Sequence, residues 1–255
     1  MPETSPAALP IEIAVQDVAG ARIALEAGAA RVELCQALAL GGLTPSAGLV
    51  AETAEAAQAA GRTGFVHVLV RPRGGGFAYD ADEVRVIERD IRIAVAHGAD
   101  GVVVGALTPE GELDLDALDR FVDAAGGAQV TVHRAVDAAD DPFAAVAALA
   151  GRGVARVLTS GGAADCRAGV GQLALMSGEL AGAVEVMAGG GVKVADIPLL
   201  AAAGVDAVHL SARGTTTRGG ASGPGGGVVG FDVTDPGLVR AAVAAAAVLA
   251  SRRAG

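Results

Sequence analysis

The sequence has few cysteines, no excess of basic charge and no long apolar segment, and each absence argues against a class of protein. Cys35 and Cys166 are too few for a disulfide framework, so we expect a reducing, cytoplasmic setting. The formal net charge of -10 argues against nucleic acid as a partner and does not support attachment to an anionic membrane. The apolar run 241–250 is too short to cross a bilayer. Residues 1–10 lack the features of a signal peptide, and we expect a flexible tail there.

Length and composition favour one large domain. The chain has 255 residues, of which 52% are hydrophobic and 19% are charged, which is enough to build a single core. No linker interrupts residues 11–255, so we predict one domain over that range. The glycine-rich segment 214–230 has almost no apolar anchor. It is interpreted either as a lid over a binding site or as a disordered insertion, and its composition favours the insertion.

A short motif occurs four times along the chain. In each copy a glycine follows an alanine-rich helical stretch, and a buried strand begins two or three residues later. Such a connection between helix and strand, repeated at this frequency, indicates a repeated βα unit. The four copies are residues 28–34, 98–104, 153–159 and 204–210.

Extending these copies predicts eight strands that alternate with helices. The strands are Ile11–Val15, Arg31–Leu34, Phe65–Val70, Gly101–Val104, Gln129–His133, Arg156–Leu158, Glu185–Ala188 and Ala207–Leu210. The helices are Val18–Ala27, Ser46–Ala60, Ala81–His97, Leu115–Ala125, Asp141–Gly151, Gly169–Leu180, Val194–Ala203 and Pro236–Ser251, with Asp17, Asp80, Asp114 and Asp140 at or near helix starts. This order predicts a (β/α)₈ TIM barrel. The alternative, an open doubly wound sheet, would usually carry a glycine fingerprint after the first strand, and none follows Val15.

Polar side chains recur on the strands at the phase that faces the barrel axis. The clearest case is 65–77, where His67 and Arg71 share one face of an otherwise apolar strand. Active sites of TIM barrels lie at the carboxyl ends of the strands, so these side chains predict a polar site there. Carboxylates and imidazoles with shifted pKa values suit acid–base chemistry. The candidates for that role are Glu12, Glu33, His67, His133, Asp137 and His209.

A second group of residues suits a small anion. Arginine side chains bind carboxylate and phosphate groups, and glycine-rich loops expose backbone N–H groups in the region where many barrels hold a phosphate. A glycine loop alone is a weak signal, because any tight turn can use glycine. The candidates for anion binding are Arg71, Arg134, Thr159, Ser160, Gly161, Gly189, Gly190, Gly191 and Ser211.

Six ordered sequence runs resemble the CutC family, which is described as copper homeostasis proteins with a TIM-barrel fold. The runs are RVELCQALALGGLTPSAGLV from Arg31, VRPRGGGFAY from Val70, TVHRAVD from Thr131, RVLTSGG from Arg156, MAGGGV from Met187 and VHLSA from Val208. The resemblance covers roughly 11–213. It implies a TIM barrel, a role in copper handling with Cu(I) as ligand, and self-association.

One position departs from the family pattern. Related sequences often carry a cysteine on the first strand, where this chain has Ala14, beside the cysteine that matches Cys35. Cu(I) prefers soft thiolates, and a tight site needs at least two of them. Cys35 is therefore interpreted either as a metal ligand or as a small buried hydrophobic residue. Two functions remain open: a copper homeostasis protein that binds Cu(I), and a TIM-barrel enzyme that acts on a small phosphate or carboxylate.

Overall fold

Eight parallel strands close into a barrel in the computed structural model, which describes residues 8–217 and 230–253. Each strand pairs with the next along the chain, and β1 also pairs with β8. The strands are β1 (Ile11–Val15), β2 (Arg31–Leu34), β3 (Val66–Leu69), β4 (Gly101–Val104), β5 (Gln129–Val132), β6 (Arg156–Thr159), β7 (Glu185–Gly189) and β8 (Ala207–Leu210). The predicted (β/α)₈ TIM barrel is confirmed.

Eight α-helices surround the barrel. They are α1 (Val18–Ala27), α2 (Ala47–Ala59), α3 (Ala81–Ala96), α4 (Leu115–Ala125), α5 (Pro142–Ala147), α6 (Val170–Glu179), α7 (Ile197–Ala202) and α8 (Pro236–Arg253), with 3₁₀ turns at Leu38–Leu40, Arg134–Ala138 and Val194–Asp196. The predicted helix 141–151 is wrong at its end. Gly151 and Gly153 both have positive φ, so the chain leaves helical geometry before them.

The helix ends follow the expected chemistry. Asp17, Asp80 and Asp114 each accept a backbone N–H at the start of a helix, as predicted. At α5 the cap is Asp141, which accepts from the Ala144 N–H, rather than its neighbour Asp140. The glycines that open the four repeated motifs have φ values of 81°, 95°, 75° and 84°, so each turns the chain from helix to strand in the left-handed conformation.

The repeated motif has two variants. In one, an aspartate after the glycine ties the connection to the neighbouring strand: Asp100 accepts from the N–H groups of Phe65 and Val66, and Asp206 from that of Val186. In the other, an arginine opens the strand and is buried, as at Arg31 and Arg156. The first variant fixes the sheet register, and the second places a cation inside the barrel.

The main apolar core lies between the sheet and the helices. Its largest fully buried side chains include Phe65, Phe121 and Ile13. An antiparallel ribbon of β9 (Arg213–Thr216) and β10 (Phe231–Thr234) follows β8, and β9 contains the first residues of the predicted glycine-rich segment 214–230. Residues 1–7 of the predicted tail and residues 218–229 lie outside the described part of the chain. Within that part, no helix is both long and apolar enough to cross a membrane.

Candidate functional site

The interior of the barrel is only partly apolar. Two small hydrophobic clusters occupy it: Cys35, Leu69 and Val103 on one side, and Leu158, Met187 and Ala207 on the other. Buried polar side chains fill the space that these clusters leave. They are Glu12, Arg31, Glu33, His67, Thr131, His133 and Arg156. The prediction that polar residues at alternate strand positions face the barrel interior therefore agrees with the structure.

Two carboxylates flank one imidazole at the centre of this interior. Glu12 is fully buried, and its Oε1 lies 2.7 Å from Nδ1 of His209 while its Oε2 accepts a 2.7 Å hydrogen bond from Nε of Arg31. On the other side of the ring, Nε2 of His209 lies 3.8 Å from Oε2 of Glu33. Adjacent strands produce this order, because Glu12 is in register with both Arg31 on β2 and His209 on β8.

The surroundings give these three groups different charges. Burial alone would raise the pKa of Glu12, but the hydrogen bond and charge of His209 and the charges of Arg31 and His67 hold that pKa well below its usual range. Burial alone would lower the pKa of His209. The hydrogen bond to Glu12 and the charges of Glu33 and Glu12 outweigh the effect of burial, so the pKa of His209 is raised. Burial raises the pKa of Glu33 to about 7, with His209 opposing the rise and Glu12 adding to it. Near neutral pH, Glu33 is the carboxyl group of this set that exchanges a proton.

A cavity of about 240 Å³ opens above these residues, at the carboxyl ends of the strands. Glu33 and His209 form part of its wall, whereas Glu12 lies beneath them and does not line it. The volume is below the range of roughly 300–1,000 Å³ that is typical of drug-sized ligands, so it suits a small metabolite. The lining residues are Ala14, Glu33, Leu38, Gly41, Leu69, Arg71, Phe77, His133, Arg134, Leu158, Gly190, Gly191, Val192, His209, Leu210 and Ser211.

Arg71 is a fixed part of the cavity wall. Its Nη1 donates to the carbonyl groups of Leu40 and Gly42, and its Nη2 donates to that of Gly75 at 2.7 Å. The guanidinium carbon lies 5.0 Å from the ring centroid of Phe77, within cation–π distance. The two ends of the guanidinium therefore hold neighbouring loops, while the buried Nε has no acceptor among the described residues.

His133 also contacts Phe77, with the two ring centroids 5.0 Å apart. Its Nδ1 accepts a 3.2 Å hydrogen bond from the Ala135 N–H, so the neutral ring carries its proton on Nε2. Burial and, to a smaller extent, the charge of Arg71 lower the pKa of His133 to about 4. The ring is thus neutral at pH 7, and its buried Nε2–H has no acceptor within the described residues.

His67 lies inside the barrel, away from the cavity wall. It is fully buried, in register with Glu33 on β2 and Gly101 on β4, and neither ring nitrogen has a partner among the described residues. A Cβ at Gly101 would lie 2.4 Å from its Nδ1, so this glycine provides the space for the ring. Burial lowers the pKa of His67 to about 4. The structure therefore separates it from the carboxyl groups that meet at the cavity.

The loop after β6 already holds an anion, the carboxylate of Asp137. That carboxylate accepts hydrogen bonds from the N–H groups of Ser160 and Gly162, from the Thr159 hydroxyl and from Nε of Arg134. The Gly161 N–H donates to the Thr159 hydroxyl oxygen, so it is also satisfied. The predicted anion-binding residues Thr159, Ser160 and Gly161 thus enclose an internal carboxylate, and Asp137 lies outside the cavity lining.

The loop after β7 is arranged differently. Gly190 and Gly191 line the cavity with φ values of 120° and 65°, and their N–H groups have no acceptor in the described part of the chain. A Cβ at Gly190 would lie 2.9 Å from the guanidinium carbon of Arg134, so glycine is needed for this contact. Gly189 is the last residue of β7, and Ser211 lines the cavity beyond β8. These positions bring Arg134 and the predicted glycine loop to one side of the cavity.

Known proteins are similar to this chain in sequence and in fold. A model of the CutC family matches residues 9–214. The chain belongs to the CutC family. A CutC family protein of Xanthomonas campestris pv. campestris (strain 8004) is 42% identical over 205 residues, which cover 80% of this chain and 83% of the relative. A CutC family protein of Xylella fastidiosa (strain Temecula1) is 41% identical over 204 residues, covering 80% and 74%.

Solved structures confirm the fold. CutC from Streptococcus agalactiae, which is provisionally described as a copper homeostasis protein, superimposes with a TM-score of 0.73 at 29% identity and covers 79% of this chain and 97% of that one. A thiamine phosphate pyrophosphorylase from Pyrococcus furiosus gives a TM-score of 0.59 at 12% identity, covering 94% and 96%. At that identity the second similarity shows the barrel fold alone.

The CutC description raises the question of whether Cys35 could hold Cu(I). Cys35 is fully buried, its Sγ lies 3.6 Å from the Val15 carbonyl oxygen, and burial raises the pKa of its thiol well above the usual range. Ala14 occupies the position where the family pattern led us to expect a second thiol. Within the described residues, no three His, Cys, Asp or Glu side chains lie together as metal ligands. Cys35 therefore offers Cu(I) a single buried thiol with a raised pKa, where a tight site needs at least two thiolates.

Three contributors to the site carry no role in the sequence analysis. Arg31 helps to keep Glu12 ionised, and Phe77 contacts both Arg71 and His133. Gly105 provides the space for the His133 ring, because a Cβ there would lie 2.7 Å from that ring. Gly105 had a usable signal, since it follows Gly101 by four residues at the same inward phase of β4. Phe77 had none, because an aromatic residue in a loop carries no periodicity.

Proposed function

We propose that this CutC family member is an enzyme that transfers a proton to and from a small carboxylate or phosphate metabolite, with Glu33 as the group that exchanges the proton. The single observation that carries this proposal is the state of Glu33. Its carboxyl group lines the cavity, accepts no hydrogen bond from any described residue, and has its pKa raised to about 7. A general base with a pKa near the working pH is the most effective, since it is both ionised and able to hold the proton.

The neighbouring groups supply the electrostatics of such a step. When Glu33 takes a proton from a carbon or hydroxyl of the ligand, the electron pair left behind is stabilised by the positive charge of His209, which also lines the cavity. Glu12 and Arg31 lie beneath and hold His209 in its charged form and orientation. Return of the proton from Glu33 restores the starting state, so the cycle needs no further reactant.

Deuterium exchange tests the proposed proton transfer. The protein is incubated in D₂O with separate 2-oxo acids, 2-hydroxy acids and phosphorylated three- and four-carbon acids, and the loss of C–H signals is followed by ¹H NMR. We expect exchange with at least one compound and a decrease of about 100-fold or more in Glu33→Gln. The control is Glu185→Gln, because Glu185 lies half-exposed on β7 and pairs with Arg156, outside the cavity. Exchange that is equally fast in Glu33→Gln, or absent with every compound, would contradict the proposal.

The copper homeostasis description of the Streptococcus agalactiae relative favours a second candidate function, which is direct binding of Cu(I) through Cys35. The test is a competition titration of Cu(I) against a strong chelator with the whole chain and with Cys35→Ala. A loss of affinity in Cys35→Ala would support this candidate. Equal affinity in the two proteins would remove Cys35 from any copper site and leave proton transfer as the function supported by the cavity.

A further inference from the structure

We infer that Arg71, Phe77 and His133 form a carboxylate-binding subsite, which holds the anionic end of the ligand in the cavity that Glu33 also lines. We call these three residues the donor wall. The inference rests on the proposed function and deepens it, because it selects a carboxylate over a phosphate and changes the predicted role of His133. Two unpaired N–H groups carry it: Nε of Arg71 and Nε2 of His133.

Both donors are buried and both belong to residues that line the cavity. Arg71 is 7% exposed and His133 is 5% exposed, so water has little access to either side chain. A buried donor without an acceptor is costly, and native proteins rarely keep one unless a ligand or ordered water completes it. Both side chains contact one ring, that of Phe77: the guanidinium carbon of Arg71 and the ring centroid of His133 each lie 5.0 Å from its centroid.

The hydrogen bonds of the two side chains fix where each donor is. The carbonyl groups of Leu40, Gly42 and Gly75 take three of the four N–H groups on the terminal nitrogens of Arg71, and Nε is its one nitrogen with no acceptor among the described residues. In His133 the Ala135 N–H occupies Nδ1, which places the proton on Nε2. A ring held in this tautomer cannot accept a proton at Nε2, so His133 donates a hydrogen bond and is not the acid–base group that the sequence analysis predicts.

The charge of the donor wall favours a carboxylate. The donor wall carries one positive charge, since His133 is neutral, and a carboxylate carries one negative charge on two oxygens that accept hydrogen bonds. A phosphate has three terminal oxygens and more charge. The loop that could have supplied more donors, after β6, is already filled by Asp137.

The experiment measures binding of named probes to the whole chain at pH 7.5. Pyruvate, lactate and glyoxylate are compared with inorganic phosphate and with lactamide, in which the carboxylate is replaced by a neutral amide. We expect a carboxylate to bind at least about 10-fold more tightly than lactamide and phosphate. In His133→Phe, which keeps an aromatic ring beside Phe77, carboxylate binding falls by about 10-fold or more. The control is His97→Phe, because His97 is exposed near the end of α3 and away from the cavity, and it leaves binding unchanged.

A measurement on the unsubstituted chain keeps the test independent of variant folding. The ¹⁵N-labelled imidazole of His133 shows a protonated Nε2 at pH 7, and its proton moves downfield when the carboxylate binds. Unchanged carboxylate affinity in His133→Phe, tighter binding of phosphate than of every carboxylate, or an Nε2 proton that does not respond would each overturn the inference. Glu33→Gln distinguishes proton transfer by Glu33 from carboxylate binding by the donor wall. In this variant we expect deuterium exchange to be lost while the carboxylate still binds, so loss of exchange alone does not contradict the proposed subsite.

Discussion

The three histidines on the barrel strands differ in charge because their partners differ. His209 is held between two carboxylates, and its pKa is raised. His67 and His133 are buried beside arginine charges without a carboxylate partner at hydrogen-bond distance, and the pKa of each is lowered to about 4. The same side chain is therefore shifted toward the charged form on β8 and toward the neutral form at the other two positions. This difference assigns His209 to charge stabilisation and His133 to hydrogen-bond donation.

At the scale of single residues, glycines next to the rings provide a sensitive test of the site. We expect Gly105→Ala to reduce stability by about 1–3 kcal/mol, because its Cβ would lie 2.7 Å from the His133 ring and force that ring to move. The matched control is Gly48→Ala in α2, where an added Cβ meets nothing within 4 Å. That change should stabilise the protein by about 0.5–1 kcal/mol, because alanine has the higher helix propensity. Urea denaturation measures both, and equal effects would contradict the packing described around His133.

At the scale of elements, Asp137 connects the 3₁₀ turn after β5 to the loop after β6. Its carboxylate accepts two backbone N–H groups, a hydroxyl and Nε of Arg134, so it acts as an internal anion between two βα loops. Removing one partner of such a buried set leaves the others unsatisfied. The loop after β7 has no such internal acceptor, which leaves its N–H groups for a ligand.

This difference predicts unequal effects for two nearby aspartates. We expect Asp137→Ala to lower the free energy of unfolding by about 3–5 kcal/mol, because it leaves several buried donors and the Arg134 charge without an acceptor. Asp141→Ala removes only the cap of α5, where one exposed N–H loses its partner, and should cost about 1 kcal/mol. Chemical denaturation of the two variants gives the comparison. Similar losses in both would show that Asp137 does not organise the loops.

The elements themselves were largely predictable from sequence. The β-branched runs, the alanine-rich helices and the four glycine turns are local signals, and the strands and helices that they predict are present with ends shifted by a few residues. The ribbon of β9 and β10 was not predicted, because Arg213–Thr216 and Phe231–Thr234 have too few apolar residues to mark a strand. Pairing across a long sequence separation leaves no periodic trace in either strand.

The composition of the site was predictable, but the role of each residue was not. Alternation along the strands places Glu12, Glu33, His67, His133 and His209 inside the barrel, as expected. It does not show that Glu12 lies under the cavity while Glu33 lines it, or that Asp137 fills the β6 loop. These outcomes depend on hydrogen bonds between residues that are distant in the sequence. The pattern of residues along one strand does not predict such tertiary contacts.

At the scale of the whole molecule, buried titratable groups link stability to pH in opposite directions. The pKa of Glu33 is raised from 4.5 to about 7, so its penalty on the folded state grows as pH rises through that window. The pKa of His133 is lowered from 6.5 to about 4, so its neutral ring stabilises the folded state above pH 6.5, and this contribution is lost as pH falls toward 4.

Two variants therefore change the pH dependence of stability with opposite sign. The free energy of unfolding of Glu33→Gln, measured relative to that of the unsubstituted protein, should be about 2 kcal/mol higher at pH 7 than at pH 5. His133→Phe should show the reverse, with a relative gain of about 2 kcal/mol at pH 5. Urea denaturation of all three proteins at the two pH values measures these differences. A change of the same sign in both variants would contradict the assignment of the two charges.

The central claim is that Glu33 exchanges a proton near neutral pH beside a charged His209. The most direct measurement is an NMR titration of the whole chain with ¹³C-labelled glutamate carboxyl groups and ¹⁵N-labelled histidine rings, with Glu33→Gln to assign the Glu33 signal. We predict one glutamate that titrates near pH 7 and disappears in Glu33→Gln, together with a His209 ring protonated on both nitrogens at that pH. A Glu33 signal that titrates near 4.5, or a neutral His209 at pH 7, would contradict the account.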